Sequence, residues 1–329
     1  MAGTSGSLTT KARLFDADRS DREVELSAGT VKSIGDHQLL WIDAVLSDEA
    51  SDTRELVTLL PFDREAVERM LGSAPRPQIS MHGAFFLVRV LVLRPSDKDD
   101  ERVVLDLAVG RNVVLTAHRQ PVEFLADLNH RIRGDTTLGK MDSADFATVL
   151  MDGVVTTYLE LTDEILAAVD TLDGKALKAT GRDLLADLVA LRHRIAAVRR
   201  VLVAHRRVIT GMAGADFGVI TGKEATPRFA AITERFDGAI DAIDAAREAL
   251  LGTFDIHMSR TAQRTNDVVK ILTIVSVLLL PTGVIAGFMG MNIKAPYAND
   301  DPRIFWIVLI AIALIAGITM LALRARKWL

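Results

Sequence analysis

The apolar residues of this chain are most continuous near its C-terminus. One charge-free run extends from residue 271 to residue 293, and a second from 304 to 323. Each has about 20 residues, the length of helix that crosses a hydrocarbon core of roughly 30 Å. The pattern predicts a membrane hairpin with a first transmembrane helix at 266–292, an extracytoplasmic loop at 293–303 and a second helix at 304–323.

The N-terminal part of the chain mixes two periodicities. Segments rich in β-branched residues predict strands near residues 37–46, 82–93, 102–110 and 113–118, the last two joined by a turn at Gly110-Arg111-Asn112. Helical spacing between and after them predicts helices near 47–60, 62–71 and 121–133. We therefore expect an α+β domain at 23–140, preceded by a disordered tail at 1–22 that has no apolar signal-peptide region.

Helical periodicity dominates the next segment, 141–265. A first helix is expected to begin at Ser143 as its N-cap and to end near Gly174, and a second covers roughly 182–210. After a glycine-containing break, the last helix starts near Pro227 and contains no helix breaker before Pro281. Continued to Asn292 it has about 66 residues, or on the order of 100 Å. A helix of that length needs partner helices, which predicts an oligomeric stalk.

Composition excludes several classes of protein. The chain has 329 residues, a net charge of −4 and no cysteine, so thiolate metal sites are excluded and nucleic-acid binding has no electrostatic support. We found no phosphate-binding loop, catalytic triad or zinc-helix histidine pair, and predict that the chain is not an enzyme. A basic segment at 192–207 is expected to pair with acidic helices or to be solvated.

Basic residues near the ends of the predicted spans indicate an orientation. Arg260, Arg264 and Lys270 precede the first span, and a basic tail at 324–329 follows the second. Both termini are therefore predicted to be cytoplasmic, with a multi-pass arrangement in the cell (inner) membrane and the lipid bilayer as a partner.

One face of the first predicted span carries small and polar residues at 3-4 spacing. This pattern suits tight helix packing as well as a pore lining with apolar constrictions, and the spacing alone does not choose between them. Leu272 lies beside the face. The candidate pore-lining residues are Asn266, Val269, Leu272, Thr273, Ser276, Leu280, Gly283 and Gly287.

The end of this span carries the tripeptide Gly290-Met291-Asn292, about ten residues before the second span. With Pro281 inside the span and Asn266 at its start, this segment resembles the CorA family of divalent-cation channels. The resemblance is sharp over about 260–329 and only architectural upstream. It implies a funnel-shaped homopentamer in which an α/β/α sandwich and long helices precede the two-helix hairpin.

The resemblance also implies site residues and an ion. Gly290, Met291 and Asn292 would form the selectivity filter at the pore entrance, with Asn292 contacting the ion. A ring of neutral oxygens suits hydrated Mg²⁺, which gives up its waters reluctantly. Uptake down the electrochemical gradient would then need no bound cofactor, the divalent ion being the cargo and a possible regulator.

The loop after the tripeptide departs from the family pattern. Many relatives have an acidic residue there, whereas this chain has Lys294, with Asp300 and Asp301 further on. Lys294 would repel cations and the two aspartates would attract them, or cap the second span. Co²⁺, Ni²⁺ and Zn²⁺ therefore remain alternatives, the last because a zinc-transporting branch shares the tripeptide.

Acidic residues of the stalk follow helical spacing. In the family, acidic residues between subunits bind intracellular Mg²⁺ and close the channel, whereas a solvated helix face accounts for the same pattern. Asp255 is the candidate for an acidic metal-binding ring. The candidates are Asp237, Asp241, Asp244, Glu248 and Asp255. A non-conducting membrane-anchored scaffold or sensor is the alternative from another class.

Overall fold

A computed structural model describes residues 8–47, 50–95, 100–132, 141–178, 182–214, 218–291 and 303–325. Its residues form two compact units, 1–253 and 254–329. The strands are β1 (Thr9–Asp16), β2 (Arg22–Val24), β3 (Gln38–Val45), β4 (Gln78–His82), β5 (Phe85–Arg94), β6 (Glu101–Val109) and β7 (Val113–His118). The helices are α1 (Ala28–Lys32), α2 (Ala50–Leu59), α3 (Arg64–Leu71), α4 (Glu123–Arg131), α5 (Ser143–Lys178), α6 (Arg182–Met212), α7 (Gly218–Gly290) and α8 (Arg303–Ala325).

The seven strands form one mixed sheet in the order β2-β1-β3-β7-β6-β5-β4. Only β3 and β7 are parallel among the described strands; every other neighbouring pair is antiparallel. The predicted turn at Gly110-Arg111-Asn112 is confirmed, since the amide of Gly110 donates to the carbonyl of Val113 at 2.9 Å. The β4–β5 hairpin turns at Gly83, whose φ of +60° is a conformation that a side chain disfavours.

Helices cover both faces of this sheet. One face packs its alternate aliphatic residues, such as Leu40, Ile42 and Leu115, against α2 and α3. On the other face Trp41 packs on Phe146 of α5, with ring centroids 5.2 Å apart. The α/β/α sandwich that we expected is therefore confirmed.

The predicted boundaries of the sandwich were wrong at both ends. The expected tail at 1–22 contains β1 and the first residue of β2, and Ala12, Leu14 and Phe15 are buried. Pairing with β3 orders this segment, a tertiary contact that local composition does not reveal. Likewise α5 and α6 belong to the sandwich rather than to a separate helical segment at 141–265. Residues 1–7 lie outside the described part.

Two details of the long helices also differ from the prediction. Asp142, not Ser143, caps α5, because its carboxylate accepts from the amide of Asp145 at 2.7 Å while the Ser143 hydroxyl donates to the carbonyl of Arg111. Helix α7 has 73 residues and begins at Gly218 rather than near Pro227. It continues through Pro281 without ending, although proline removes one backbone hydrogen bond.

A pair of buried polar side chains terminates the pairing on one edge of β5. Strand β4 pairs with β5 only as far as Gln78, which lies opposite Arg89. Beyond it, the amide of Leu91 donates to His205 Nε2 at 2.8 Å, and its carbonyl accepts from the Tyr158 hydroxyl at 2.6 Å. These side chains of α5 and α6 satisfy the backbone groups that a further strand residue would otherwise bond.

Candidate functional site: the apolar helices and the stalk

Burial changes abruptly along α7. Between 229 and 250 a buried residue recurs at almost every third or fourth position, as expected for a helix packed on one face. From 258 to 291, by contrast, no residue with a described side chain is buried. The apolar surface of this second segment therefore has no cover within the described part of the single chain.

By length and composition, one of the described helical segments, Pro227–Phe288, is apolar enough over part of its length to cross a membrane. Within α8 a shorter apolar stretch covers Trp306–Leu321. Helix α8 as a whole has 23 residues, or about 35 Å at 1.5 Å per residue, enough for a hydrocarbon core of roughly 30 Å.

All eight predicted pore-lining residues lie on α7, and each is exposed in the single chain. The exposed fractions of the apolar members are large: 54% for Val269, 64% for Leu272 and 66% for Leu280. The Thr273 hydroxyl donates to the carbonyl of Val269 at 2.8 Å. Its oxygen lone pairs therefore stay available to water or to a hydrated ion.

The glycines of this face are not required by packing within the chain. A Cβ atom built on Gly283, Gly287 or Gly290 would have no neighbouring atom of the described residues within 4 Å. Small residues at these positions therefore point to something outside the single chain, either close contact with other helices or a water-filled path.

The filter tripeptide is only partly described. Gly290 ends α7, and Met291 follows it with 54% of its surface exposed. Asn292, Lys294, Asp300 and Asp301 lie outside the described residues, so the filter and the loop electrostatics stay predictions.

The acidic stalk residues divide into two groups. Asp237 and Asp244 form ion pairs with α6, at 3.3 Å to Arg206 and 2.5 Å to Arg199. The Arg199 guanidinium lowers the pKa of the Asp244 carboxyl. The other three, Asp241, Glu248 and the candidate metal ligand Asp255, are exposed. Arg199 and Arg206 belong to the basic segment at 192–207, which we expected either to pair with acidic helices or to be solvated.

Two further arginines link α7 to α5. Arg228 Nη1 lies 2.5 Å from Asp145, and Arg235 is ion-paired with Asp152. Arg194 of α6 bridges Asp100 and Glu164, both at 2.9 Å. These partners could not be predicted from the sequence, because the residues of each pair are separated by at least 30 positions along the chain.

Comparison with known proteins agrees with this architecture. Residues 36–325 match the family model described as "CorA-like Mg2+ transporter protein". The cobalt/magnesium transport protein CorA of Thermotoga maritima is 21% identical over 334 residues, which cover 94% of this chain and 93% of that protein. The zinc transport protein ZntB of Pectobacterium atrosepticum is 21% identical and covers 79% of each chain.

Among solved structures, the complete CorA magnesium transporter of Methanocaldococcus jannaschii has a TM-score of 0.82. The match covers 97% of this chain and 98% of the other at 20% identity. At this identity the likeness shows a shared fold, and that fold includes the long α7 and the apolar α8.

Proposed function

Since the chain belongs to the family of CorA-like Mg²⁺ transporter proteins, we propose that it conducts Mg²⁺ into the cell through an axial pore lined by α7. Family membership makes the chain a membrane transporter of divalent cations and not an enzyme. We also propose the identity of the transported ion, the residues of the filter, the number of subunits and the mechanism of gating.

The observation that carries the proposal is the uncovered face of α7. Its polar members, Asn266, Thr273 and Ser276, offer neutral oxygen atoms, and its glycines face open space. Neutral oxygens bind a hydrated cation through its waters weakly enough to release it, as conduction requires. Apolar Val269, Leu272 and Leu280 would form the narrow segments.

The proposed assembly is a homopentamer with the first span of each subunit around the axis. It would cover the exposed apolar surface of α7 with other copies of the chain and with α8. Both termini would be cytoplasmic and the loop at 293–303 would lie outside. Native mass spectrometry of the detergent-solubilised protein tests this: a mass other than five 35.8 kDa subunits contradicts it.

Ion flux in proteoliposomes tests the function. We expect Mg²⁺ entry driven by an inside-negative potential, at about 4.6 kcal/mol per divalent ion per 100 mV. Asn292→Ala should reduce this flux at least tenfold, whereas Asn299→Ala, the same substitution in the loop, should leave it nearly unchanged. Flux that survives Asn292→Ala would contradict the filter, and flux absent from the wild type would contradict conduction.

A Zn²⁺ transporter is the second candidate, because relatives named as zinc transport proteins match 79% of the chain and Lys294 replaces the acidic loop of many relatives. Parallel flux measurements with Mg²⁺ and Zn²⁺, each with and without a proton gradient, distinguish the two. Faster Zn²⁺ flux that depends on the gradient would favour the zinc transporter.

Gating by internal Mg²⁺ is proposed to act through the exposed carboxylate of Asp255. Among the described residues Asp255 has no ion-pair partner that a cation would have to displace, whereas at Asp244 a cation would have to displace the guanidinium of Arg199. Asp255→Asn should therefore weaken inhibition of flux by internal Mg²⁺, and Asp244→Asn, the matched control, should change it less. Equal effects of the two substitutions would contradict this assignment.

A further inference from the structure

A cavity of approximately 680 Å³ opens on the α4 face of the sheet, far along the chain from the predicted pore residues. Its walls come from β1, β2, β3, β7 and α4, and the buried residues Asp43 and His118 line it. These two residues sit on the adjacent parallel strands β3 and β7, near the carboxyl end of each. Ligand sites are common at such strand ends.

The ring of His118, which lines this cavity, has a buried nitrogen without a hydrogen-bond partner among the described residues. Its Nδ1 lies 2.8 Å from the carbonyl oxygen of Gln120, and because a carbonyl only accepts, Nδ1 carries the proton. In the neutral ring Nε2 is then a lone-pair acceptor. Only 5% of the residue is exposed, and Nε2 has no hydrogen-bond partner in the part of the chain that the structure describes.

Asp43 is held in place from two sides. Its Oδ1 accepts from the Thr116 hydroxyl at 2.7 Å, and Thr116 Oγ1 in turn accepts from Trp41 Nε1 at 3.1 Å. The indole bond leaves the hydroxyl proton free to point at Asp43. On the other side, Asn129 Nδ2 lies 3.4 Å from Oδ2.

His118 Nε2 and Asp43 Oδ1 are 3.3 Å apart, yet their alignment is not that of a hydrogen bond. With Nε2 unprotonated, two lone-pair-bearing atoms face each other in a buried site. In a tetrahedral site, two ligand atoms that each lie about 2.0–2.1 Å from Zn²⁺ are separated by roughly 3.3 Å. The metal then lies on the lone-pair axis of the imidazole nitrogen, and the carboxylate oxygen lies to one side of that axis. The observed separation of the two atoms, 3.3 Å, equals this distance.

We propose that Asp43 and His118 form a binding site for a borderline divalent cation such as Zn²⁺, Co²⁺ or Ni²⁺. A ligating histidine usually donates its other ring N–H to a carbonyl or carboxylate, as His118 does to Gln120. Imidazole nitrogen favours these metals over Mg²⁺, which prefers oxygen. Within the described residues no third His, Asp or Glu completes a cluster, so water fills the remaining positions.

The charges at the cavity walls do not select a cation by themselves. Three basic side chains, from Lys11, Arg13 and Arg22, are balanced in part by the acidic Asp21 and Glu23. All but Arg13 and Asp21 are exposed to water, which screens them. Recognition of the cation therefore rests on the two buried ligands.

Cobalt absorption tests this site on the full-length protein in detergent. Co²⁺ bound with low coordination number by nitrogen and oxygen gives an intense visible d–d band, whereas hydrated Co²⁺ gives a weak one. We expect the band in the wild type, its loss on adding Zn²⁺ and its persistence in excess Mg²⁺. His118→Gln should weaken Co²⁺ binding at least tenfold, and His193→Gln, which removes an exposed histidine, should not.

Two measurements guard against a folding defect in the variant. Asp43→Asn should weaken Co²⁺ binding as His118→Gln does, with circular dichroism reporting whether each variant is folded. In wild-type crystals soaked with Zn²⁺, an anomalous peak is expected within about 2.3 Å of both His118 Nε2 and Asp43 Oδ1. Absence of that peak, or a Co²⁺ band that persists in folded His118→Gln protein, would overturn the proposal.

Discussion

Protonation of His205 is expected to destabilise the sandwich in mildly acidic solution. The ring is completely buried, its Nδ1 donates to the carbonyl of Val201 at 2.7 Å, and its Nε2 accepts from the amide of Leu91. Burial lowers the pKa of His205 from 6.5 to about 4. A proton on Nε2 would remove the acceptor that Leu91 requires.

The sign of the effect follows from proton uptake. Between pH 6.5 and about 4 the unfolded chain binds a proton at His205 and the folded chain does not, so falling pH favours the unfolded state. The contribution of the neutral ring to the free energy of unfolding is fully present above pH 6.5 and is lost as the pH falls to about 4. At about 1.4 kcal/mol per pH unit, the loss amounts to about 3 kcal/mol.

His205→Gln provides the comparison, because an amide oxygen can accept from Leu91 but does not titrate. Urea unfolding of the full-length protein can be followed through Trp41 fluorescence with Trp306 and Trp328 replaced by phenylalanine. The wild type should be more stable than the variant at pH 7.5, and this difference should shrink by about 3 kcal/mol by pH 4. Parallel pH profiles of the two proteins would refute the role assigned to His205.

Three further predictions concern packing and ion pairs in the sandwich. Gly153→Ala should cost about 1–3 kcal/mol in urea unfolding, since an ideal Cβ would lie 2.5 Å from a ring carbon of α4; an unchanged midpoint would contradict this close packing. Arg89→Met should cost about 3–5 kcal/mol because it leaves Asp106 buried and unpaired, and adding Asp106→Leu should restore part of the loss in the same assay. Because water screens this pair, Arg199→Glu and Asp244→Arg should each destabilise only slightly and should compensate each other in a double-mutant cycle, whereas additive effects would refute the pairing.

The apolar helices were predictable from the length of their charge-free runs. A charge-free run of about 20 residues is rare in water-exposed helices, so α8 and the apolar segment of α7 were recognisable from composition and length alone. The long central strands β5, β6 and β7 were equally clear, because burial on both faces makes them continuous in Val and Leu.

The strands β1, β2 and β4 were not predictable in this way. Lys11, Arg13 and the short segments around them have the composition of loops, and partner strands from elsewhere in the chain order them. A local signal did exist for His205, which continues the apolar 3-4 spacing of Val201, Val208 and Ile209 inside a basic segment. Its partner Leu91 is 114 positions away and could not be inferred.

The two proposals place two kinds of metal chemistry in different parts of the chain. The eight predicted pore-lining positions of α7 hold hydroxyl, amide, apolar and glycine residues and neither histidine nor carboxylate, so selectivity there would act on a hydrated ion. The Asp43–His118 pair, in contrast, offers an imidazole nitrogen in a buried site with fixed geometry. Such a site distinguishes Zn²⁺ from Mg²⁺ by ligand type, which a ring of neutral oxygens does poorly. Ion preference in flux and ion preference in binding are therefore expected to differ, and a zinc-binding result on the whole protein would not by itself identify zinc as the transported ion.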